Sequence, residues 1–312
     1  MKPAASIIIC TKNRADSLGR TLSALEGIDM PRGMTVELLV VDNGSTDHTA
    51  EVVRSHRSEQ FELRYILEPI GGQAHARNRG MAESQGEIIV FTDDDVLPSS
   101  RWLKQHLSAY SDPATSALLG RIEAIYVGPL PIWSENGDFS TKYGDSPLKP
   151  FEGDLVGANM SFRRSVPERI GGFNVRLGPG RTGFFDDSEF SRRLRRAGFV
   201  QSYDPEASVQ HVISAERLTA AALRKMLFQL GVSSFVADDF GASGTFFKEL
   251  VRYARSSVGM AKFDIKRLLT RRWPEITHVD LFHEMERGNM WARLQGRKKL
   301  ERLYDVPEAR ML

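Results

Sequence analysis

The sequence predicts an α/β protein: a Rossmann-like, mixed but mostly parallel sheet flanked by helices, with a helical C-terminal extension. Three observations lead to this prediction. Short apolar runs typical of buried strands alternate with segments whose apolar residues recur at helical spacing. Most of these runs lead directly into a polar turn, which places the turns at one edge of a parallel sheet. From residue 216 onward the pattern is helical and basic.

Composition narrows the class of protein. The 312 residues are 41% hydrophobic and 26% charged, and the formal net charge of +2 argues against a nucleic-acid partner. Cys10 is the sole cysteine, which excludes an intramolecular disulfide and favours a reducing compartment. The N-terminus lacks the pattern of a signal peptide, and no apolar run approaches the roughly 18 residues of a membrane span. The sequence therefore predicts a cytoplasmic protein.

The first two strands each lead into a polar turn. Residues 6–10 form the first apolar run, and a helix is expected after it, with Asp16 as its N-cap and Gly27 at its end. A second strand at residues 36–41 leads into a turn at residues 42–47. Both turns therefore offer polar side chains at one edge of the predicted sheet.

The next strand and helix lead to an acidic triplet. A weaker strand is predicted at residues 63–67, followed by a helix from Gln73 to Ser84 that Gly86 closes. Residues 87–92 then form a buried strand that leads into Asp93, Asp94 and Asp95. Carboxylates at the carboxyl end of a strand are placed to hold a cation and, through it, an anionic ligand.

The second part of the chain is less regular. Residues 128–153 are rich in proline and glycine, which indicates either a lid that contacts an acceptor or simple disorder. A strand is predicted at residues 154–162 and a helix at residues 187–197. A last strand is predicted at residues 200–210, which His211 closes.

The tail differs from the rest. Residues 248–302 hold 14 Lys or Arg against 7 Asp or Glu, a local charge of +7, and apolar residues recur there at helical spacing. Such a basic amphipathic region indicates either a helical cap on the enzyme core or peripheral contact with an anionic membrane surface, here the inner membrane face.

Five motifs occur in a recognisable order. They span residues 6–14, 40–47, 76–80, 91–95 and 186–190, and the segment Gly157 to Met160 and His211 accompany them. In this order the motifs resemble those of family 2 glycosyltransferases with the GT-A fold. The resemblance covers about residues 5–212 and leaves the tail outside. It implies an inverting transfer of a sugar from a nucleotide-diphosphate sugar to an acceptor hydroxyl.

The resemblance implies a metal site and a donor site. Asp93, Asp95 and His211 match the ligands of Mn²⁺ or Mg²⁺, which carboxylate oxygens suit. Asp42 matches the acid that contacts the nucleotide base, and either Asp94 or Asp93 meets the ribose. The other positions expected near the nucleotide are Thr11, Asn13, Arg14, Gly72, Arg77 and Asn78.

The acceptor side is implied in the same way. Asp187 matches the general base that takes the proton of the acceptor hydroxyl, although Asp186 and Glu189 stand where the family more often has Glu and Asp. Asp186 is also expected near the substrate. Asn159 and Trp133 are candidate acceptor contacts, with a place in the core as the equal alternative for Trp133.

These expectations define three regions and one principal function. Residues 1–100 are expected to bind the nucleotide sugar, residues 101–215 to bind the acceptor and carry the base, and residues 216–312 to form the basic extension. The resemblance favours UDP over GDP or dTDP and leaves open a glycan or a lipid-linked acceptor, in bacterial-type polysaccharide, glycolipid or cell-surface glycan synthesis. A sugar-phosphate nucleotidyltransferase and a catalytically silent nucleotide-sugar-binding scaffold are the alternatives. The oligomeric state is not predicted.

Overall fold

The structure, a computed structural model, describes residues 2–128, 154–237 and 278–295. These residues form two compact units. The first contains residues 2–127, 154–174 and 187–213. The second contains residues 128, 175–186, 214–237 and 278–295.

The first unit is built on an eight-stranded mixed sheet with the order β3-β2-β1-β4-β7-β6-β8-β5. Strands β1 to β4 run parallel, whereas β7 is antiparallel to β4 and β6, and β5 is antiparallel to β8. This topology confirms the predicted mixed, mostly parallel sheet. The strands are β1 (Ala5–Thr11), β2 (Val36–Asp42), β3 (Glu62–Leu67), β4 (Ile88–Asp93), β5 (Val96–Pro98), β6 (Thr115–Val127), β7 (Asn159–Arg163) and β8 (Val200–Ser214).

Six helices follow strands or loops of this sheet. Three strand–helix pairs precede the strand of the acidic triplet, and the helix directly before that strand starts at the predicted Gln73. The helices are α1 (Ala15–Leu25), α2 (Thr49–Ser55), α3 (Gln73–Glu83), α4 (Trp102–Ala109), α5 (Ser165–Ile170) and α6 (Asp186–Arg196).

The central strands are buried on both faces, as their continuous apolar runs predict. Along β1, Ile7 and Ile9 belong to a core layer that also contains Leu18 and Leu22 of α1. Ile8 belongs to the opposite layer, with residues of α3 and α6. Because side chains alternate along a strand, one apolar run supplies both layers.

Helix α3 lies unusually close to the sheet. A Cβ atom built on Gly80 would come within 2.5 Å of Ile8 Cγ2 and 3.2 Å of Val41 Cγ2, so glycine is required for this approach. The close contact brings the preceding turn of α3, including Arg77, against the sheet, and Arg77 is only 3% exposed.

Several boundaries differ from the sequence-based expectation. The predicted strand at residues 154–162 starts only at Asn159, and the last strand continues through His211 to Ser214. Asp16 does not cap α1, since its side chain is 86% exposed and the Asp47 carboxylate instead accepts the Ala15 N–H at 3.1 Å. Most of the predicted lid, residues 129–153, lies outside the described residues, as does Trp133.

Asn159 is the centre of a buried polar network, which the sequence did not predict. Its Oδ1 accepts hydrogen bonds from Trp102 Nε1 at 2.7 Å and from His106 Nε2 at 2.8 Å. Its Nδ2 donates to the carbonyl oxygens of Arg121 at 2.8 Å and Ala207 at 2.7 Å. The side chain is fully buried and its bonds tie β7 to α4, β6 and β8. Asn159 therefore serves the core in this structure, and an acceptor contact for it stays a prediction.

The same network fixes the tautomer of His106. Because Asn159 Oδ1 is an acceptor, His106 Nε2 must carry the proton, and Nδ1 then accepts from Ser161 Oγ at 2.8 Å. Ser161 Oγ in turn accepts from the Tyr110 hydroxyl at 2.7 Å. In this series of hydrogen bonds, every donor has an acceptor only while His106 is neutral.

The second unit contains a pair of helices, α7 (Ala220–Ala237) and α8 (His278–Gln295). Two glycines allow their backbones to approach. A Cβ on Gly231 would lie 1.9 Å from the Met285 carbonyl oxygen, and one on Gly288 would lie 1.9 Å from that of Phe228. In the described part of the chain no helix has both the length and the apolar character of a membrane span. Residues 238–277 and 296–312 of the basic tail lie outside that part.

We predict that replacing His106 by Gln weakens the acid dependence of stability. Burial lowers the pKa of His106 to about 4, against which the hydrogen bond to Asn159 acts. In the unfolded chain a histidine titrates near pH 6.5, so the lowered folded-state pKa contributes stability that is present above about pH 6.5 and is lost as the pH falls toward about 4. Between about pH 7.5 and pH 5 the wild-type protein should lose about 2 kcal/mol through this residue.

Urea unfolding at the two pH values measures this loss. His106→Gln should start from a lower stability at neutral pH and then fall less steeply than the wild type. His48→Gln is the control, because the His48 side chain is 61% exposed, and it should keep the wild-type pH dependence. An unchanged slope in His106→Gln would contradict the assignment.

Candidate active site

The carboxyl ends of three parallel strands bring the predicted site residues together. In the strand register Thr11 of β1 lies opposite Asp42 of β2, and Cys10 lies opposite Asp93 of β4. Asp94 and Asp95 follow Asp93 directly and are buried. The structure thus places the acidic triplet next to the turn that follows β1, as expected for a ligand site at the carboxyl edge of a parallel sheet.

Asp94 is bound by residues of the chain itself. Its Oδ2 accepts the Thr11 hydroxyl at 2.7 Å, and its Oδ1 accepts Arg14 Nη1 at 2.6 Å. The other end of the Arg14 guanidinium lies 2.9 Å from Asp95 Oδ2. Burial raises the pKa of Asp94 to about 6, although Arg14 and Thr11 oppose the shift. Thr11 and Arg14 therefore support the acidic triplet, in addition to lying at the predicted nucleotide pocket.

Asp95 and His211 meet across neighbouring strands. His211 lies opposite Val96 in the register of β8 with β5, and the Val212 N–H donates to the Asp95 carbonyl oxygen at 2.9 Å. This pairing places His211 Nε2 3.2 Å from Asp95 Oδ1. His211 thus reaches the triplet from within β8 and not from the end of the strand, which corrects the predicted position.

Asp93 is partly buried and lies among several charged groups. Burial raises its pKa, and the neighbouring Asp95 and Asp187 raise it further, whereas Arg77 and His211 lower it. Several carboxylates that share a buried site repel one another, and a cation relieves this repulsion. The electrostatics of this edge therefore favour a bound cation.

The predicted metal ligands fit a hard divalent cation by their chemistry. Two carboxylates and an imidazole are ligands that Mn²⁺ accepts, and Mg²⁺ prefers the carboxylates. His211 Nδ1 is buried and has no hydrogen-bond partner among the described residues, so a metal ion or a water molecule could satisfy it. In the described part of the chain, however, no three acidic, histidine or cysteine side chains converge closely enough to form a ligand set.

Asp42 is held in place by two donors. Its Oδ1 accepts the Ser45 N–H at 2.8 Å, and its Oδ2 accepts the Tyr65 hydroxyl at 2.8 Å. Burial and the Asp42 carboxylate raise the pKa of Tyr65 to about 12, so the phenol is a donor at neutral pH. Sequence reasoning missed Tyr65; its position opposite Val40 on the neighbouring strand could have indicated it only after the register was known.

Asn13 and Gly72 shape the loops beside Asp42. Asn13 has a positive φ of 53° and its Oδ1 accepts the Thr46 N–H at 2.7 Å, which ties the turn after β1 to the turn after β2. Gly72 has a φ of 126°, a backbone that favours glycine, and its N–H donates to Asn43 Oδ1 at 2.7 Å. Both predicted residues therefore lie at the loops that border the site.

Arg77 and Asn78 lie beneath the site. The Asn78 side chain donates to the Phe173 carbonyl oxygen at 2.9 Å and accepts the Phe173 N–H at 2.7 Å, so both ends of its amide are occupied. The Arg77 guanidinium is buried, with Cζ 5.3 Å from the ring centroid of Phe173. A nucleotide contact for Asn78 stays a prediction, and Arg77 acts on the site through its charge near Asp93.

Asp187 is the second residue of helix α6 and is half-buried. Its Oδ2 accepts the Gly157 N–H at 3.1 Å, and its Oδ1 accepts the Ser188 N–H at 2.8 Å. Asp187 is near enough to Asp93 to raise the pKa of that carboxyl group. The structure therefore brings the predicted base and the acidic triplet to one region of the first unit.

Asp186 belongs to the second unit. It is 3% exposed and its carboxylate lies beneath Gly178, where a Cβ atom would come within 2.7 Å of Asp186 Cγ. Gly178 has a φ of 82°, so a larger residue would be strained there as well. A substrate contact for Asp186 stays a prediction.

The sheet, its helices and the acidic edge define a GT-A transferase. The chain superposes on the mannosyltransferase PcManGT from Pyrobaculum calidifontis, solved in complex with GDP-Man and Mn²⁺, with a TM-score of 0.60 and 20% identity over 95% of this chain and 87% of that one. It also matches Glycosyl transferase family 2 over residues 6–171, more than half of its length. The chain belongs to this family and is a glycosyltransferase.

Two relatives extend the match. The chain is 28% identical over 227 residues to the succinoglycan biosynthesis protein ExoM of Rhizobium meliloti, an alignment that covers 72% of this chain and 71% of that protein. It is 28% identical over 209 residues to the glycosyltransferase AglE of Haloferax volcanii, with 64% of each chain covered.

We predict that replacing Asn78 by Ala lowers stability without weakening nucleotide binding. The two hydrogen bonds to Phe173 should together contribute about 2 kcal/mol. Urea unfolding measures this loss, and calorimetric titration with UDP and Mn²⁺ measures binding. Asn78→Asp is the matched variant, because it keeps the acceptor for the Phe173 N–H and loses the donor, so its stability should be intermediate. A large loss of affinity at unchanged stability would restore the nucleotide contact.

Proposed function

We propose that this protein transfers a sugar from a nucleotide-diphosphate sugar to an acceptor hydroxyl with inversion and with the help of a divalent cation. The observation that carries the proposal is the acidic triplet at the carboxyl edge of the sheet, with Asp187 close enough to Asp93 to act on its carboxyl group. The carboxylates of Asp93 and Asp95 suit a cation that binds the leaving diphosphate, and the separate carboxylate of Asp187 suits proton transfer. Direct displacement at the anomeric carbon needs these two tasks in one place.

The acidic edge is assigned to the leaving group. Asp93, Asp95 and His211 would hold Mn²⁺ or Mg²⁺, which when bound supplies positive charge to the departing diphosphate. Arg14 already contacts Asp94 and Asp95 and is 40% exposed, so its guanidinium stands at the solvent side of the same edge. A fixed guanidinium there also attracts the phosphates and orients the acids.

Asp187 is assigned as the general base. The two backbone N–H groups that bind its oxygens hold the carboxylate in one orientation while leaving the side chain half-exposed. Each carboxylate oxygen keeps a second lone pair, so one oxygen can accept the proton of an acceptor hydroxyl. The proton moves to Asp187 as the new bond forms, and the bond to the diphosphate breaks on the opposite face of the sugar.

Asp42 is assigned to the nucleotide base. Tyr65 and Ser45 each occupy one lone pair of its carboxylate, and the remaining lone pairs can accept a ring N–H of the base. Uracil, thymine and guanine each offer such a ring N–H, so the carboxylate alone does not select among them. The family resemblance favours UDP, with GDP and dTDP as alternatives.

The acceptor is assigned only by class. The relative ExoM is named for succinoglycan biosynthesis, which supports a role of this chain in bacterial-type polysaccharide synthesis. Either a growing glycan or a lipid-linked sugar fits this role. A cytoplasmic location, with peripheral contact to the inner membrane face through the basic tail, stays a prediction from the sequence. The division into residues 1–100, 101–215 and 216–312 stays a prediction as well.

We predict that Asp187→Asn and Asp95→Asn fail in different ways. Asp187→Asn, which removes the general base, should reduce the rate of donor turnover roughly 100-fold to 10,000-fold. It should leave Mn²⁺-dependent nucleotide binding within about 2-fold of the wild type. Loss of Asp95 should instead weaken nucleotide binding in the presence of Mn²⁺. The rate is measured as release of nucleoside diphosphate from a panel of nucleotide sugars, and binding by calorimetry.

Asp154→Asn provides the control for these variants. Asp154 is a partly exposed acid that pairs with Arg195 at 2.6 Å, so its loss should change neither measurement. Near wild-type turnover by Asp187→Asn would exclude Asp187 as the base. Unchanged metal-dependent binding by Asp95→Asn would exclude the metal assignment.

We predict further that Tyr65→Phe weakens nucleotide binding. Loss of a hydrogen bond to a carboxylate should free Asp42 to rotate, at a cost of about 1.5 kcal/mol or roughly 10-fold in affinity. Calorimetry with UDP, GDP and dTDP, each with Mn²⁺, measures the change and identifies the preferred base. The affinity for inorganic diphosphate should stay unchanged. An equal loss of affinity for diphosphate would show that Tyr65 does not act through the contact with the nucleotide base.

A further inference from the structure

The orientation of Asp187 depends on a segment of the chain outside its own helix. One carboxylate oxygen accepts the Ser188 N–H, which belongs to the same helix terminus as Asp187. The other accepts the Gly157 N–H at 3.1 Å, from the loop that precedes β7. The peptide of Gly157 thus holds one carboxylate oxygen of Asp187, and the helix terminus holds the other.

This loop is tied to the fold on several sides. The Leu155 N–H donates to Ser191 Oγ of α6 at 2.8 Å, and the Ala158 carbonyl accepts the hydroxyl of Thr92 at 3.0 Å. Asn159, with its fully satisfied buried side chain, closes the loop through a hydrogen bond from its N–H to the Val156 carbonyl oxygen at 2.9 Å. The backbone around Gly157 is therefore anchored before and after it.

Arg77 packs against Gly157 itself. A Cβ atom built on Gly157 would lie 1.7 Å from Arg77 Nη2 and 2.6 Å from Cζ, so the guanidinium occupies the space of a side chain. The guanidinium cannot move away freely, because it is 3% exposed and its Cζ lies 5.3 Å from the ring centroid of Phe173 and 6.0 Å from that of Phe91. It forms a flat support under the peptide that binds Asp187.

We propose that Gly157 and Arg77 are positioning residues for Asp187: the Arg77 guanidinium supports the Gly157 peptide, and this peptide orients the carboxylate. The proposal rests on the proposed role of Asp187 as the base. It assigns to Arg77 a task that needs no direct contact with the nucleotide, and it assigns a task to Gly157 that only a residue without a side chain can perform.

Substituting either residue should act mainly on turnover. A methyl group at position 157 forces the peptide or the guanidinium to shift, and the 3.1 Å hydrogen bond to Asp187 is then lengthened or lost. A base displaced by a fraction of an ångström can cost roughly 10-fold to 100-fold in rate. The nucleotide contacts at Asp42 are on another strand and should keep their geometry.

The first test uses Gly157→Ala with Gly19→Ala as its matched control. A Cβ on Gly19 would meet only Val52 Cγ1 at 3.7 Å, an ordinary contact, so this variant should keep wild-type kinetics. We expect Gly157→Ala to lower kcat roughly 10-fold to 100-fold, while KM for the donor and the calorimetric affinity for UDP with Mn²⁺ change by less than about 2-fold. Wild-type kcat in Gly157→Ala, or an equal loss of UDP affinity, would overturn the proposal.

The second test separates the charge of Arg77 from its shape. Arg77→Lys keeps the positive charge near Asp93 and removes the planar group, so kcat should fall while metal-dependent UDP binding persists. In the double variant Gly157→Ala/Arg77→Lys the added methyl group no longer meets the guanidinium, and the loss should not exceed that of Arg77→Lys alone. Additive losses would contradict the proposed contact. Arg77→Lys alone decides if Gly157→Ala does not fold.

Asp187→Asn distinguishes failure of this inference from failure of the proposed function. If Asp187→Asn is inactive and both Gly157→Ala and Arg77→Lys turn over like the wild type, only the positioning roles are wrong. If Asp187→Asn is active, the base itself is wrong, whatever the other variants do.

Discussion

The buried negative charge at the carboxyl edge of the sheet is the constraint on which the rest of the site depends. Asp93, Asp94 and Asp95 are consecutive; Asp94 and Asp95 are buried and Asp93 is partly buried, and Asp187 is close enough to raise the pKa of Asp93. Uncompensated carboxylates in such a place would take up protons or move to water. Arg14 approaches them from the solvent side and Arg77 from inside the fold, so the chain balances its acids from two directions.

This balance explains why two glycines lie around Arg77. A charged group this deep needs both an opposite charge and close packing, and α3 must therefore approach the sheet. Gly80 permits the approach to β1, and Gly157 leaves room for the guanidinium itself. The packing of Arg77 between Phe173 and the Gly157 peptide thus follows from the same requirement that buries the acids.

The sequence predicted the parts of the site that are local. A buried strand followed by acids, and strands that end in turns, placed Asp42 and Asp93 at one edge of the sheet, because parallel strands share their carboxyl ends. It did not predict Tyr65 or the network around Asn159, whose partners lie on elements distant in the chain. Asp16 failed as a cap for the same reason, since the carboxylate that serves the start of α1 comes from Asp47. Register and tertiary contacts decide these positions, and local patterns do not contain them.

The residues from Arg77 to Gly80 show that a motif near a site can also serve the fold. Asn78 binds the backbone of Phe173, Gly80 lies against Ile8, and Arg77 lies against Gly157. These three residues therefore face the interior, and together they form the underside of the site. A motif position that a resemblance assigns to the ligand can act one layer below it, by holding the backbone that holds the reacting group. In this chain the link from that layer to the chemistry is the single N–H of Gly157, which donates to Asp187.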